Sequence, residues 1–275
     1  MVAVRALMVV MVAGSLALGQ TPTEKAWSVL ETGLKAKSPR PRATAARVLG
    51  LITRDAKAAS LAQGALADPN ADVRAAAAAA LGQMGASSSI PALEGALDDK
   101  DTAVVLAAAN ALLKLRSRTA FGVYYEVLTG ERKSGQGLVA GQMKTLKDRR
   151  KMAQFGFEEG IGFVPFAGIG YSAIRAITKD DVSPVRAAAA KMLASDPDPH
   201  SGVALAQAAT DKSWLVRVAA LDAIAERGDP RLLAAIRPAL DDKNFPVQCT
   251  AAAAVVHLSA ISRIPTVAAP RPKQK

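Results

Sequence analysis

A pattern that returns at a fixed interval constrains this chain more than any other feature. The stretch Asn70-Ala71-Asp72-Val73-Arg74 followed by six alanines, Leu81 and Gly82 has counterparts at Val104-Val105, Val185-Arg186, Val216-Arg217 and Val247-Gln248. The step is 31 residues three times, and the exception, 81 residues from Val104 to Val185, is one step plus 50. Two further tracks keep the same register: Leu81, Leu112, Leu193, Ile224, Val255, and Leu66, Leu97, Leu128, Ala209, Leu240. A fourth carries Asp68, Asp99, Asp211 and Asp242 and is broken by Gly130. Coincident tracks in one register are the mark of a repeat array, here with an insertion.

The chemistry within one period predicts what each unit is. Asn70, Asp101, Ser213 and Asn244 precede the valine by three residues, and each carries a side-chain oxygen that can accept the free N–H groups of a first helical turn. Ser38 and Ser183, each followed by proline, fit the same role. From each cap runs an alanine-rich segment with apolar residues on a 3.6-residue period, such as Val73, Ala77 and Leu81, and a second helix precedes each cap, as at 90–97, 202–209 and 230–240. The reading is an all-α solenoid of about six helical hairpins. A single hairpin cannot bury its apolar face, so the units must stack.

Leu-x-Asp followed by Val-Arg-x-Ala-Ala-x-x-Ala-Leu-Gly resembles the HEAT repeat, in particular the short bacterial form also found in phycobilisome-lyase-like proteins. The resemblance covers roughly residues 38–118 and 181–260 and implies a right-handed α–α superhelix of the HEAT/armadillo kind. It further implies a non-catalytic scaffold and a ladder of ion pairs from unit to unit, corresponding here to Asp68, Arg74, Asp99, Arg186, Asp211, Arg217 and Asp242. Val105, Gly130 and Gln248 depart from that ladder, so it is expected to break around the insertion and at the last unit. The lyase activity of the subgroup is the least favoured reading, because the start of this chain reads as an export signal.

That start is Arg5, an apolar run from Ala6 to Ala13, and Ala17-Leu18-Gly19, the layout of a signal peptide cleaved before Gln20. It predicts a periplasmic or secreted protein. The remaining boundaries are 20–130 for the N-terminal repeats, 131–180 for the insertion, 181–261 for the C-terminal repeats and 262–275 for a proline-rich basic tail with no periodicity. Trp27, with Leu30 and Leu34 at helical spacing, is expected to close the open end of the first repeat. Removing 131–180 and joining Gly130 to Asp181 restores the 31-residue step, which predicts that a chain with this deletion keeps a folded repeat array.

The insertion breaks the pattern in two ways. Residues 131–151 hold seven basic side chains against two acidic ones, among them Lys144, Lys147, Arg149, Arg150 and Lys151. Residues 160–174 carry no charge and include Phe163, Phe166 and Tyr171. Those eight residues are the candidate interaction set: cations for anionic headgroups and apolar side chains for the interface would make a membrane-surface adaptor. The same segment can pack on the neighbouring repeats or dock a protein partner.

Chemistry of other kinds finds few residues. The two histidines, His200 and His257, are far apart, and the single Cys249 pairs with neither. Asp196-Pro197-Asp198-Pro199-His200 has alternate-position ligands but reads more simply as a rigid turn. Gly160, Gly162, Gly168 and Gly170 lack the lysine and the preceding strand of a phosphate-binding loop. No catalytic residue, cofactor or metal is predicted. The net charge of +11 invites nucleic acid, but the excess lies in the insertion and tail instead of on one repeat position, so nucleic acid is disfavoured against a protein partner.

Overall fold

The computed structural model describes residues 20–117, 119 and 183–263, and those residues are helices and short turns. Eleven α-helices are described: α1 (Pro22–Leu34), α2 (Pro39–Val48), α3 (Ala56–Ala65), α4 (Ala71–Gln83), α5 (Ile90–Gly95), α6 (Thr102–Lys114), α7 (Ser183–Met192), α8 (Pro199–Ala208), α9 (Trp214–Arg227), α10 (Leu233–Ile236) and α11 (Phe245–Ser262). The long members α2, α4, α6, α7, α9 and α11 are the copies that the 31-residue register marks. Of the helices between them, the shortest are eked out by 3₁₀ turns, as Ala96–Asp98 extends α5 and Arg237–Asp241 follows α10.

Local chemistry sets the helix starts. Asn70 accepts from the N–H groups of Asp72 and Val73, Asp101 from Ala103 and Asn244 from Val247. Three expected caps differ. Ser38 and Ser213 occupy the cap position without a side-chain bond, and Ser183 is the first residue of α7 instead of its cap. At Ser213 the acid two residues earlier supplies the acceptor, since Asp211 takes the Ser213 N–H at 2.9 Å. At the other end of a helix, Gly228 adopts φ 65°, the left-handed cap that glycine enters without a Cβ penalty.

Alanine lets the long helices approach closely. A Cβ on Gly82 of α4 would stand 2.6 Å from the Cα of Ala111 in α6, so this contact admits no side chain at all. The core repeats with the register: Val73, Val104, Val216 and Val247, all in one register position, are 0–1% exposed.

The order of layers is not the order of the chain. α4 lies between α2 and α6, and α9 lies between α7 and α11. The two blocks then meet through their sequence-distant ends, because α11 packs along α1 and against α2. Lys25 of α1 forms an ion pair with Asp241, and Thr23 donates to Ser259 at 3.3 Å. In space the array reads α7, α9, α11, then α1 with α2, α4 and α6. One expectation is corrected by this. α1 sits inside the array, so Trp27 closes no open end; it is half-buried and carries the Lys57 ammonium 4.4 Å above its ring. Among the described residues α6 and α7 are the outermost long helices.

Placement of α11 explains its composition. It is the one described helix long and apolar enough to cross a membrane, with mean hydropathy 1.4, and it is also covered on both sides by protein. Twelve of its residues between Val247 and Ser259 are buried, which leaves no polar stripe for the sequence to show.

Candidate interaction surfaces

The aspartate and arginine tracks meet between units. Arg42 of α2 donates to Asp68 through Nε at 2.7 Å and Nη2 at 2.8 Å, and Arg74 of α4 repeats both bonds to Asp99 at the same lengths. Arg217 of α9 reaches Asp242 at 3.0 Å through Nη2, and Arg186 of α7 pairs with Asp211. Each aspartate does a second job, accepting the N–H two residues on: Asn70, Asp101, Ser213 and Asn244. Arg74 also donates through Nη1 to the carbonyls of Asp68 and Pro69, and Arg42 and Arg217 copy this onto 36/37 and 211/212.

Bidentate geometry and partial burial make the Arg42, Arg74 and Arg217 rungs structural. The side chains of Arg74 and Asp99 are 8% and 14% exposed. The Arg74 guanidinium holds the Asp99 carboxyl below the usual carboxylate range, as Arg42 does for Asp68. Nothing in this arrangement offers an open position to a ligand.

Outside the ladder, three places draw notice. On the outer side of α1, Glu24, Trp27, Glu31 and Lys35 line a shallow groove with Lys57 of α3, but its cation already has partners: Lys57 bonds Glu31 at 2.7 Å and stacks on Trp27. The Asp196–His200 turn is a helix cap, in which Asp198 accepts the His200 N–H at 2.9 Å, Asp196 accepts from Ser201, and Arg227 donates to the carbonyls of both aspartates. Among the described residues no group of three His, Cys, Asp or Glu side chains converges on a metal position.

The third place is the outer face of α7. Val185 is 54% exposed, although its register mates are buried. Met192 is 56% exposed, where Ala80, Ala111, Ala223 and Ala254 are 0–2% exposed, and Ala189 between them is exposed where Ala77, Ala108, Ala220 and Ala251 are fully buried. Valine in the other copies is covered by the small residues of the preceding long helix, as Ala43 and Ala46 of α2 cover Val73 and Ala77. α7 therefore presents the stripe of an inner helix without a cover among the described residues. The sequence placed these residues in register but carried no sign that this copy stands uncovered.

Cys249 and His257 both lie inside α11 and do not form a catalytic pair. Burial pushes the Cys249 thiol up to about 12, away from the thiolate that a nucleophile needs, and pushes the His257 imidazole down. His257 Nδ1 is buried without a hydrogen-bond partner. The candidate interaction set Lys144, Lys147, Arg149, Arg150, Lys151, Phe163, Phe166 and Tyr171 lies outside the described residues.

Comparison with known proteins bears on the fold. A family model described as HEAT repeats matches residues 58–123 and 202–269. No curated protein matches the sequence. Among solved structures the chain is similar to the complex of CpcE and CpcF of phycocyanin lyase from Nostoc sp., at 20% identity over 93% of this chain and 100% of that one, with a TM-score of 0.35. It is also similar to human deoxyhypusine hydroxylase in complex with glycerol, at 18% identity over 86% of this chain and 85% of that one, TM-score 0.29. A designed armadillo repeat protein matches at 15% identity over 84% of this chain and 98% of that one, TM-score 0.27. Likeness at those scores says nothing about activity or partner. The described part of the chain is a HEAT/armadillo-like helical solenoid, a fold typical of protein–protein interaction scaffolds.

Proposed function

We propose that this chain is an exported, non-catalytic scaffold that binds a protein partner at the α7 end of its array. The observation that carries this reading is the Val185, Ala189, Met192 stripe, whose counterparts in the inner copies are buried. Apolar positions that one architecture buries in four copies and bares in the fifth are what an unfilled interface looks like. The matching surface is the one that covers the inner copies: a helix with small residues at i, i+3 or i+4, and i+7. Arg186, 45% exposed beside Asp211, gives the rim a charge.

A photo-crosslinking side chain at position 189 or 192, introduced in the producing cell, is expected to join this chain to a second polypeptide. The same group at Gln207, exposed elsewhere on the block, is expected to give no adduct. Absence of any intermolecular adduct from 189 and 192, or equal yield from 207, would remove the reading. Export is supported by the composition of residues 1–19, and an N-terminal sequence beginning at Met1 on the mature protein would contradict it.

A further inference from the structure

We infer that the described part of the solenoid has a built-in hinge, the joint between α11 and the α1–α2 pair, at which the blocks 183–263 and 20–117 open as units before either unfolds. Two independent ties hold each of the other neighbouring pairs of long helices within these blocks. One is the chain, which passes from each long helix to the next through a single short helix. The other is a ladder rung: Arg42–Asp68 between α2 and α4, Arg74–Asp99 between α4 and α6, Arg186–Asp211 between α7 and α9, Arg217–Asp242 between α9 and α11. The α11 joint has neither.

The missing rung is missing on both sides. Gln248 stands at the arginine position of α11, and its Nε2 turns back to donate to the Leu240 carbonyl of its own unit at 2.9 Å. On the other side, Arg42 donates to the carbonyls of Ala36 and Lys37 as Arg74 does to those of Asp68 and Pro69, so Ala36 occupies the acid position. The chain gives no second tie, since continuity between the two faces of this joint runs the long way round, through residues 118–182. What closes it is apolar contact, the exposed Lys25–Asp241 pair and the Thr23–Ser259 bond. Contact is close at one point: a Cβ on Gly33 would lie 3.0 Å from the Phe245 ring and 3.8 Å from Cys249 Sγ.

Apolar packing without directional ties permits rolling and separation at a smaller cost than a joint with bidentate ion pairs. Opening here changes the curvature of the whole array while leaving both blocks intact. It is a hinge placed mid-array by the meeting of the chain's two ends.

Cys249, the sole cysteine, is fully buried in this joint and reports its opening in the full-length protein. Its reaction with a thiol reagent under native conditions is expected to run roughly tenfold or more faster than global unfolding allows, with a shallower dependence on urea. A thiol in a joint that has its rung, Ala77→Cys in a Cys249→Ala background, is expected to react only at the global rate; Ala108→Cys replaces it if that variant does not fold. The inference is overturned if Cys249 labelling follows global unfolding in rate and urea dependence, or if the rung-tied thiol is equally fast. Installing the absent rung with Ala36→Asp and Gln248→Arg together is expected to slow Cys249 labelling severalfold, with neither single change doing so. No slowing by the pair would overturn the assignment of the hinge to the missing rung.

Discussion

Asp99→Ala is expected to lower the stability of the array by about 3 kcal/mol, toward the low end of the cost of breaking a buried pair because its edge meets water. Three losses coincide in that one change. Arg74, 8% exposed, is left without its bidentate partner, the Asp101 N–H loses its acceptor, and the tie between α4 and α6 is gone. The pH dependence follows from the direction of the shift. Arg74 lowers the Asp99 pKa below the unfolded value near 3.8, so its stabilisation is fully present above that value and is lost as pH falls through the folded pKa. Chemical denaturation of parent and variant at neutral pH and again below pH ~3 checks both parts: the difference is expected to be large at neutral pH and to shrink in acid. A constant difference across pH would mean that the carboxylate charge is not what the rung uses.

Leu30→Ala is expected to cost about 2–5 kcal/mol, the range for truncating a fully buried leucine. Leu30 is 0% exposed on α1, the helix that covers α11, and a cavity there has few ways to collapse because Ala26 and Gly33 flank it with little side chain to move. Thermal or urea unfolding measures the loss. The same variant is expected to raise Cys249 reactivity beyond what its global destabilisation accounts for, since the cavity opens on the joint. A loss under 1 kcal/mol would indicate that α1 is not packed as described.

Helix positions and register were readable in the chain because each copy repeats the same apolar face, cap and acid. Layer order was not readable in the same way. A repeat register treats all copies as equivalent and says nothing about which end faces meet, so chain order was the default and led to Trp27 as an end cap. Two signals for the true order were nevertheless present. From Phe245 to Ser262 there is no Asp, Glu, Lys or Arg, an odd composition for a terminal unit, whose outer face needs polar residues. Gln248 and Ala36 also drop the ladder residues at the two faces that come together.

The uncovered face of α7 was legible only in part. Its residues are in register with Val73, Ala77 and Ala80, and nothing in their identity distinguishes a covered copy from a bare one; Met192 for alanine is the single larger side chain. Charge composition had drawn the sequence reading to residues 144–174 instead, where cations and aromatics concentrate. Exposure is a property of neighbours, and neighbours across the array are set by the long-range meeting of α1 and α11, which the residues of α7 themselves do not encode.

Two spin-label distances test the layer order directly, in a Cys249→Ala background. One pair of labels is placed at Lys25 and Asp241, whose side chains form an ion pair across the joint. The other is placed at Lys114 on α6 and Met192 on α7, the outermost long helices among the described residues. The permuted array predicts a short distance for the first pair and a long one for the second, which crosses five helix-to-helix steps of about 8–10 Å each. A short 114–192 distance with a long 25–241 distance would mean that the units stack in chain order, and would contradict the account.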